Sequence, residues 1–211
     1  MPTEEALAPV PAWGVLSAAA APVVLAAGYL YAASLTPGFQ PVSQPLSDLG
    51  AANAGTRWLM AVTLMLVGVS YIVTALGLRP ADTAGRWLLG GAGVMRFWVP
   101  VIPNNVVGQW TLRHIPGSAF VFGLLALWPA MSGHLGPRVP WPLRRRVGVM
   151  ISIVAFVLIE LTLWGIILRA DTDGAREVLL YAVTALWPLV VVVWTKVRGA
   201  GWAYPAVQRR V

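Results

Sequence analysis

Ser47, Asp48, His114 and Glu177 have side chains that could support proton transfer, nucleophilic attack or cation ligation, and they come from three separate connections of a 211-residue chain. Histidine exchanges protons near neutral pH and ligates metals in its neutral form, so His114, opening the stretch His-Ile-Pro-Gly-Ser, is the natural acid/base. Asp48 reads three ways: an orienter or general base beside His114, a metal ligand, or an acceptor bonded to its own turn. Ser47 completes a Ser-His-Asp set by residue type, without a Gly-x-Ser-x-Gly elbow. Asp, His and Glu are also zinc-ligand types. HExxH and close His-x-His spacings are absent, so a metal ion at this face rests on residue type alone, and no cofactor is identified.

An arginine stands next to each expected helix start on this face: Arg57 before Trp58, Arg113 before His114, Arg176 before Glu177. Helix N-termini present unpaired N–H groups and a positive dipole end, so Arg57, Arg113 and Arg176, with Glu177, form a candidate site for an anion or a lipid phosphate. Two plainer readings stand beside this one. Each arginine would snorkel to the headgroups, and Glu177 would complement the dipole of its own first turn.

The elements that must position these groups follow from composition. Hydrophobic residues make up 58% of the chain and charged residues 11%, with a mean hydropathy of +0.72. A soluble domain carries about 25% charged residues, so lipid is the solvent for most of this chain. The formal charge of +7 invites a nucleic-acid reading. No basic-helix, finger or RNP-like pattern supports one, and basic residues at helix ends are what membrane orientation requires. Cysteine is absent, which excludes disulfides and thiol chemistry.

A spanning helix needs about 20 apolar residues. Six stretches meet or approach this: 13–35, 58–78, 87–103, 114–131, 147–168 and 179–194. They predict an all-α integral membrane bundle of six transmembrane helices in a single domain, with a cytoplasmic tail over 195–211. The first stretch reads as a retained helix, because Glu4 and Glu5 precede it where a cleaved signal has basic residues. The third is short, and Pro100 and Pro103 bend or end it. Arg79, Arg86, Arg138, Arg144, Arg145, Arg146, Lys196, Arg198, Arg209 and Arg210 fall on one side, against Arg57, Arg113, Arg169 and Arg176 on the other. The richer side is cytoplasmic by the positive-inside rule, so both termini are expected there, in a plasma (inner) membrane. The loop Thr36–Arg57, broken by Pro37, Pro41 and Pro45, is then the longest outer connection.

Two charges fall inside expected spans. Arg96 lies about 14 Å from the inner end of the third, and Glu160 about 20 Å from the inner end of the fifth, at a 1.5 Å rise per residue. Similar depths and the cost of an isolated charge in hydrocarbon predict an Arg96–Glu160 ion pair in the bundle interior.

Several short motifs recur together. Gln44-Pro45-Leu46-Ser47-Asp48-Leu49-Gly50, with Gly55 and Trp58-Leu59-Met60, resembles the opening signature of the DUF998 membrane proteins, a family of unknown function. Pro103-Asn104-Asn105, His114 and the stretch from Phe120 to Pro129 resemble its proline-containing loop, histidine and following helix. Gly174-Ala175-Arg176-Glu177 with Trp187 resembles its late Gly-x-x-Glu-Arg segment, with Arg and Glu transposed. The resemblance runs from about Gly28 to Trp194. It implies a bacterial multi-helix membrane protein and no reaction. The residues themselves point first to a protein that binds a lipid headgroup or small anion at its outer face, or that assists another membrane protein or a second copy of itself. The alternatives are an extracytoplasmic lipid hydrolase using His114 and Asp48, and a small-solute transporter. Membrane lipids are the expected partners in each case, and nucleic acid is not.

Overall fold

The computed structural model describes residues 5–6, 9–104, 106–107, 114–136, 139–168, 171–198 and 203–204. Six α-helices carry the fold: α1 (Ala12–Ser34), α2 (Arg57–Gly77), α3 (Thr83–Trp98), α4 (His114–Met131), α5 (Arg145–Leu168) and α6 (Asp173–Arg198). Short 3-10 turns lie at Leu46–Gly50, Val99–Val101 and Trp141–Leu143. Each helix packs on the next in sequence, and α6 packs on both α5 and α1, which closes the bundle into a ring. A two-residue antiparallel pairing of Glu5–Ala6 with Ala203–Tyr204 joins the chain ends. Beside it the Lys196 ammonium donates to the Val10 carbonyl at 2.9 Å. Both ends of the chain therefore meet at one end of the bundle, and the 36–56 loop closes the other.

All helices except α3 are long and apolar enough to cross a membrane. Their outward faces carry large apolar side chains, among them Leu16, Val23, Leu30, Trp164 and Ile167, each more than half exposed. Water would not tolerate that surface, whereas lipid does. Hydroxyls inside the bundle are satisfied locally: those of Thr63, Ser70, Ser132, Thr162, Thr184 and Thr195 each donate to the carbonyl four residues back at 2.6–2.9 Å. With no water at that depth, the preceding turn is the acceptor at hand.

The third and sixth helices differ most from the sequence reading. The third helix starts at Thr83, earlier than the expected 87, because the Asp82 side chain caps it by accepting the Ala84 N–H at 2.9 Å. It stops at Trp98 instead of 103, since Pro100 cannot supply a helical donor and the chain tightens into a 3-10 turn. The sixth starts at Asp173 instead of 179, so the polar Asp-Gly-Ala-Arg-Glu run is helical. That start is held from outside, where the Ala175 N–H donates to the Val42 carbonyl at 2.9 Å.

The same contact explains Gly174. A Cβ there would run into the carbonyl oxygens of Pro41 and Gln44, both backbone and unable to yield cheaply. Gly174→Ala should therefore push the loop off α6 and destabilise the protein by about 1–3 kcal/mol, as overpacking does. Thermal unfolding in detergent should show a transition lowered by several degrees, and an unchanged transition would mean that the loop does not dock.

Candidate functional site

The loop-covered end of the bundle holds the site. Its 3-10 turn turns Leu46, Asp48 and Leu49 inward. The turn is tied down by the Thr56 hydroxyl on the Leu49 carbonyl at 2.8 Å and by the Ala52 N–H on the Asn104 carbonyl at 2.7 Å. Beneath the turn lies a cleft whose polar lining is Ser47, Arg57, His114, Ser118, Glu177 and Tyr181, walled by Met60, Leu64 and Val99. Its cavity volume is about 30 Å³. That is room for a water molecule or one small polar group and too little for a sugar.

Four expected residues thus converge: Ser47, Arg57, His114 and Glu177. Glu177, 4% exposed, accepts the Ser47 N–H at 3.1 Å and its hydroxyl at 3.5 Å, which fastens the turn to α6. Arg57 opens α2, stacks its guanidinium over the Trp58 ring at 4.9 Å and keeps a buried Nε without a hydrogen-bond partner. An unmet guanidinium donor beside a polar cleft is suited to an anionic oxygen.

His114 has both ring nitrogens engaged. Nδ1 lies 2.9 Å from the Ile102 carbonyl and Nε2 lies 3.0 Å from the Ser118 hydroxyl. A carbonyl only accepts, so Nδ1 carries the proton; in the neutral ring Nε2 is then the acceptor and Ser118 donates to it. The Ile102 carbonyl, and not Asp48, is the group that orients the ring. Asp48 is buried and lines a separate pocket with Thr36, Gln44, Asn53 and Thr56. The serine facing His114 is accordingly Ser118, which the sequence reading passed over although its i, i+4 spacing places it on His114's own helix face.

Arg176 does not join the cleft. It bridges to Asp173 at 3.9 Å and donates to the Leu161 carbonyl of α5 at 3.2 Å. Arg113 lies outside the described residues. Among the described residues no group of three or more His, Asp or Glu side chains converges.

The expected Arg96–Glu160 pair does not form. Arg96 is 1% exposed, and its Nη1 donates to the Tyr181 hydroxyl at 3.1 Å. The guanidinium also sits over the rings of Tyr181 at 4.8 Å and Phe122 at 5.2 Å. Glu160 is exposed. The face of α5 that enters the bundle runs through Gly148, Ser152, Ala155, Leu158, Thr162 and Gly165, and Glu160 falls off that stripe. Similar depth suggested that the two charges meet, but the rotation of α5 about its axis turned the acid outward.

A ring of apolar helices with lipid-compatible outer faces, enclosing a polar cleft under a docked loop, defines a polytopic helical membrane protein. Residues 19–194 match the family described as Protein of unknown function (DUF998), and the chain belongs to that family. No curated protein and no solved structure is significantly similar to it.

Proposed function

We propose that this membrane protein holds a lipid, with one anionic oxygen of the headgroup in the Arg57–His114–Glu177 cleft and an acyl chain between α1 and α6. The observation that carries the reading is adjacency. A second cavity of about 370 Å³, almost wholly apolar, runs along α1 and α6 past Leu25, Tyr29, Ala182 and Leu186, and shares Leu46 and Tyr181 with the polar cleft. A polar pocket beside an apolar groove of ligand size suits an amphiphile. Arg57 takes the anionic oxygen, while the Glu177 carboxyl lines the same cleft as an acceptor. The arginine distribution assigns this end to the outer face.

Native mass spectrometry and lipid analysis of purified protein test the assignment. Arg57→Gln should weaken phospholipid retention about 10- to 100-fold, the value of one charge-assisted hydrogen bond. Ala182→Phe, which fills the groove, should displace the same lipid. Wild-type retention in both folded variants would overturn the reading.

A second reading rests on the His114 tautomer. Ser118, His114 and the Ile102 carbonyl have the donor–acceptor order of a serine nucleophile, its general base and the base's orienter, in a cleft that Arg57 lines. On this reading the protein cleaves an ester of the lipid it holds. A transport path through Arg96 and Glu160, by contrast, loses its second member to the outward face of α5.

A further inference from the structure

We infer that Arg96 forms an interior binding site for a small carboxylate-type anion, separate from the headgroup cleft and reached from it past Tyr181. The argument begins with an unbalanced charge. Arginine keeps its proton in proteins, so Arg96 is a cation at 1% exposure. Arg96 has no carboxylate partner among the described residues: Glu160 faces outward, and Glu177 is bound to Ser47. The two aromatic faces and the one phenol oxygen offset only part of the cost of burying a guanidinium.

The open donors are placed in a telling way. Arg96 Nη1 is taken by Tyr181, while Nε and Nη2 are buried without partners. Those two nitrogens share one edge of the planar guanidinium, the edge that receives both oxygens of a carboxylate side-on. The Tyr71 hydroxyl of α2, fully buried beside Arg96 and Thr184, adds a polar group to the same neighbourhood. Tyr181 stands between this centre and the cleft, lining the cleft and accepting from Arg96. Residues from α2, α3, α4 and α6 thus surround a cation whose bidentate edge is unused, and a small planar anion of one negative charge matches it in charge and shape.

Formate is the probe. Thermal unfolding of the purified full-length protein is followed against sodium formate, with sodium gluconate and sodium chloride at equal ionic strength. Wild type should gain about 5–10 °C at formate a hundredfold above its Kd, in a saturable manner and beyond the chloride response. Arg96→Lys keeps the charge but has no planar edge, and Arg96→Met has neither, so both should lose the formate preference. Arg57→Gln removes any formate held in the headgroup cleft and should keep the Arg96-dependent part of the gain, which tells this site apart from that cleft, whose own failure would appear in lipid retention. A response that does not saturate, that chloride matches, or that persists in folded Arg96 variants overturns the inference. So does one abolished by Arg57→Gln alone.

Discussion

A Gly68→Leu chain should not accumulate as a folded, monodisperse protein in detergent. At the crossing of α2 and α3, a Cβ on Gly68 would lie 2.6 Å from the Gly93 carbonyl oxygen and 2.8 Å from the Arg96 Cβ. A Cβ on Gly93 would in turn lie 2.6 Å from the Gly68 carbonyl. The contact is backbone on backbone, so no rotamer change relieves it, and the helices must separate. Close approach through small residues is how helices pack when lipid competes with every apolar side chain. Separation would also remove Arg96 from the Tyr181 and Phe122 rings, since α3 carries Arg96 one turn beyond Gly93. The milder Gly68→Ala should cost about 1–3 kcal/mol, several degrees in the unfolding transition. Gly123→Ala supplies the contrast: nothing lies within 4 Å of a Cβ there, and helix propensity alone predicts a neutral or slightly stabilising change of up to about 1 kcal/mol. Equal behaviour of the Gly68 and Gly123 alanine variants in size-exclusion and melting experiments would remove the crossing from the account.

The second large effect concerns covalent chemistry in the cleft. A fluorophosphonate probe should modify wild-type protein at Ser118. The Ser118 oxygen bonds to phosphorus as fluoride departs, and the hydroxyl proton passes to His114 Nε2. In the ester cleavage proposed for this cleft the same oxygen would attack the carbonyl carbon, His114 would return the proton to the leaving alcohol, and water would then release the acyl group. Ser118→Ala should abolish labelling, and His114→Ala should slow it by about 10²–10⁴-fold, the usual contribution of a positioned base. Ser47→Ala should label as wild type does, because Ser47 is turned to Glu177 and not to the histidine. Intact-mass measurement and peptide mapping decide the matter. An unlabelled wild type would leave the cleft with binding alone.

Much of this arrangement was legible in the residues. Apolar run lengths located the helices, with α4 found at its observed bounds and α1 and α2 within a residue. Proline and glycine marked the 36–56 loop. The helix starts carrying Arg57, His114 and Glu177 were assigned to one face, and the structure gathers them in one cleft. Failures came where a polar group is satisfied by something distant in the chain. The start of α6 was placed six residues late because its polar first turns interrupt the apolar run, and the carbonyl that accepts from its Ala175 N–H lies in the 41–44 loop. Asp48 was matched to His114 by residue type, yet the imidazole is oriented by the Ile102 carbonyl, a group that every residue possesses and no side-chain pattern reveals.

The amino-acid sequence by itself marked this chain as a helical membrane protein, located the described helices, of which five and not the expected six are long and apolar enough to span, and indicated which end of the bundle gathers its polar groups. Hydrophobic length and the placement of arginines act locally along the chain and need no partner to be read. The tertiary structure alone decided which way each helix faces. A depth follows from counting residues at 1.5 Å each, but an azimuth depends on which neighbour a helix packs against. That rotation sent Glu160 to the outward face of α5 and left Arg96 with the rings of Phe122 and Tyr181 in place of a carboxylate.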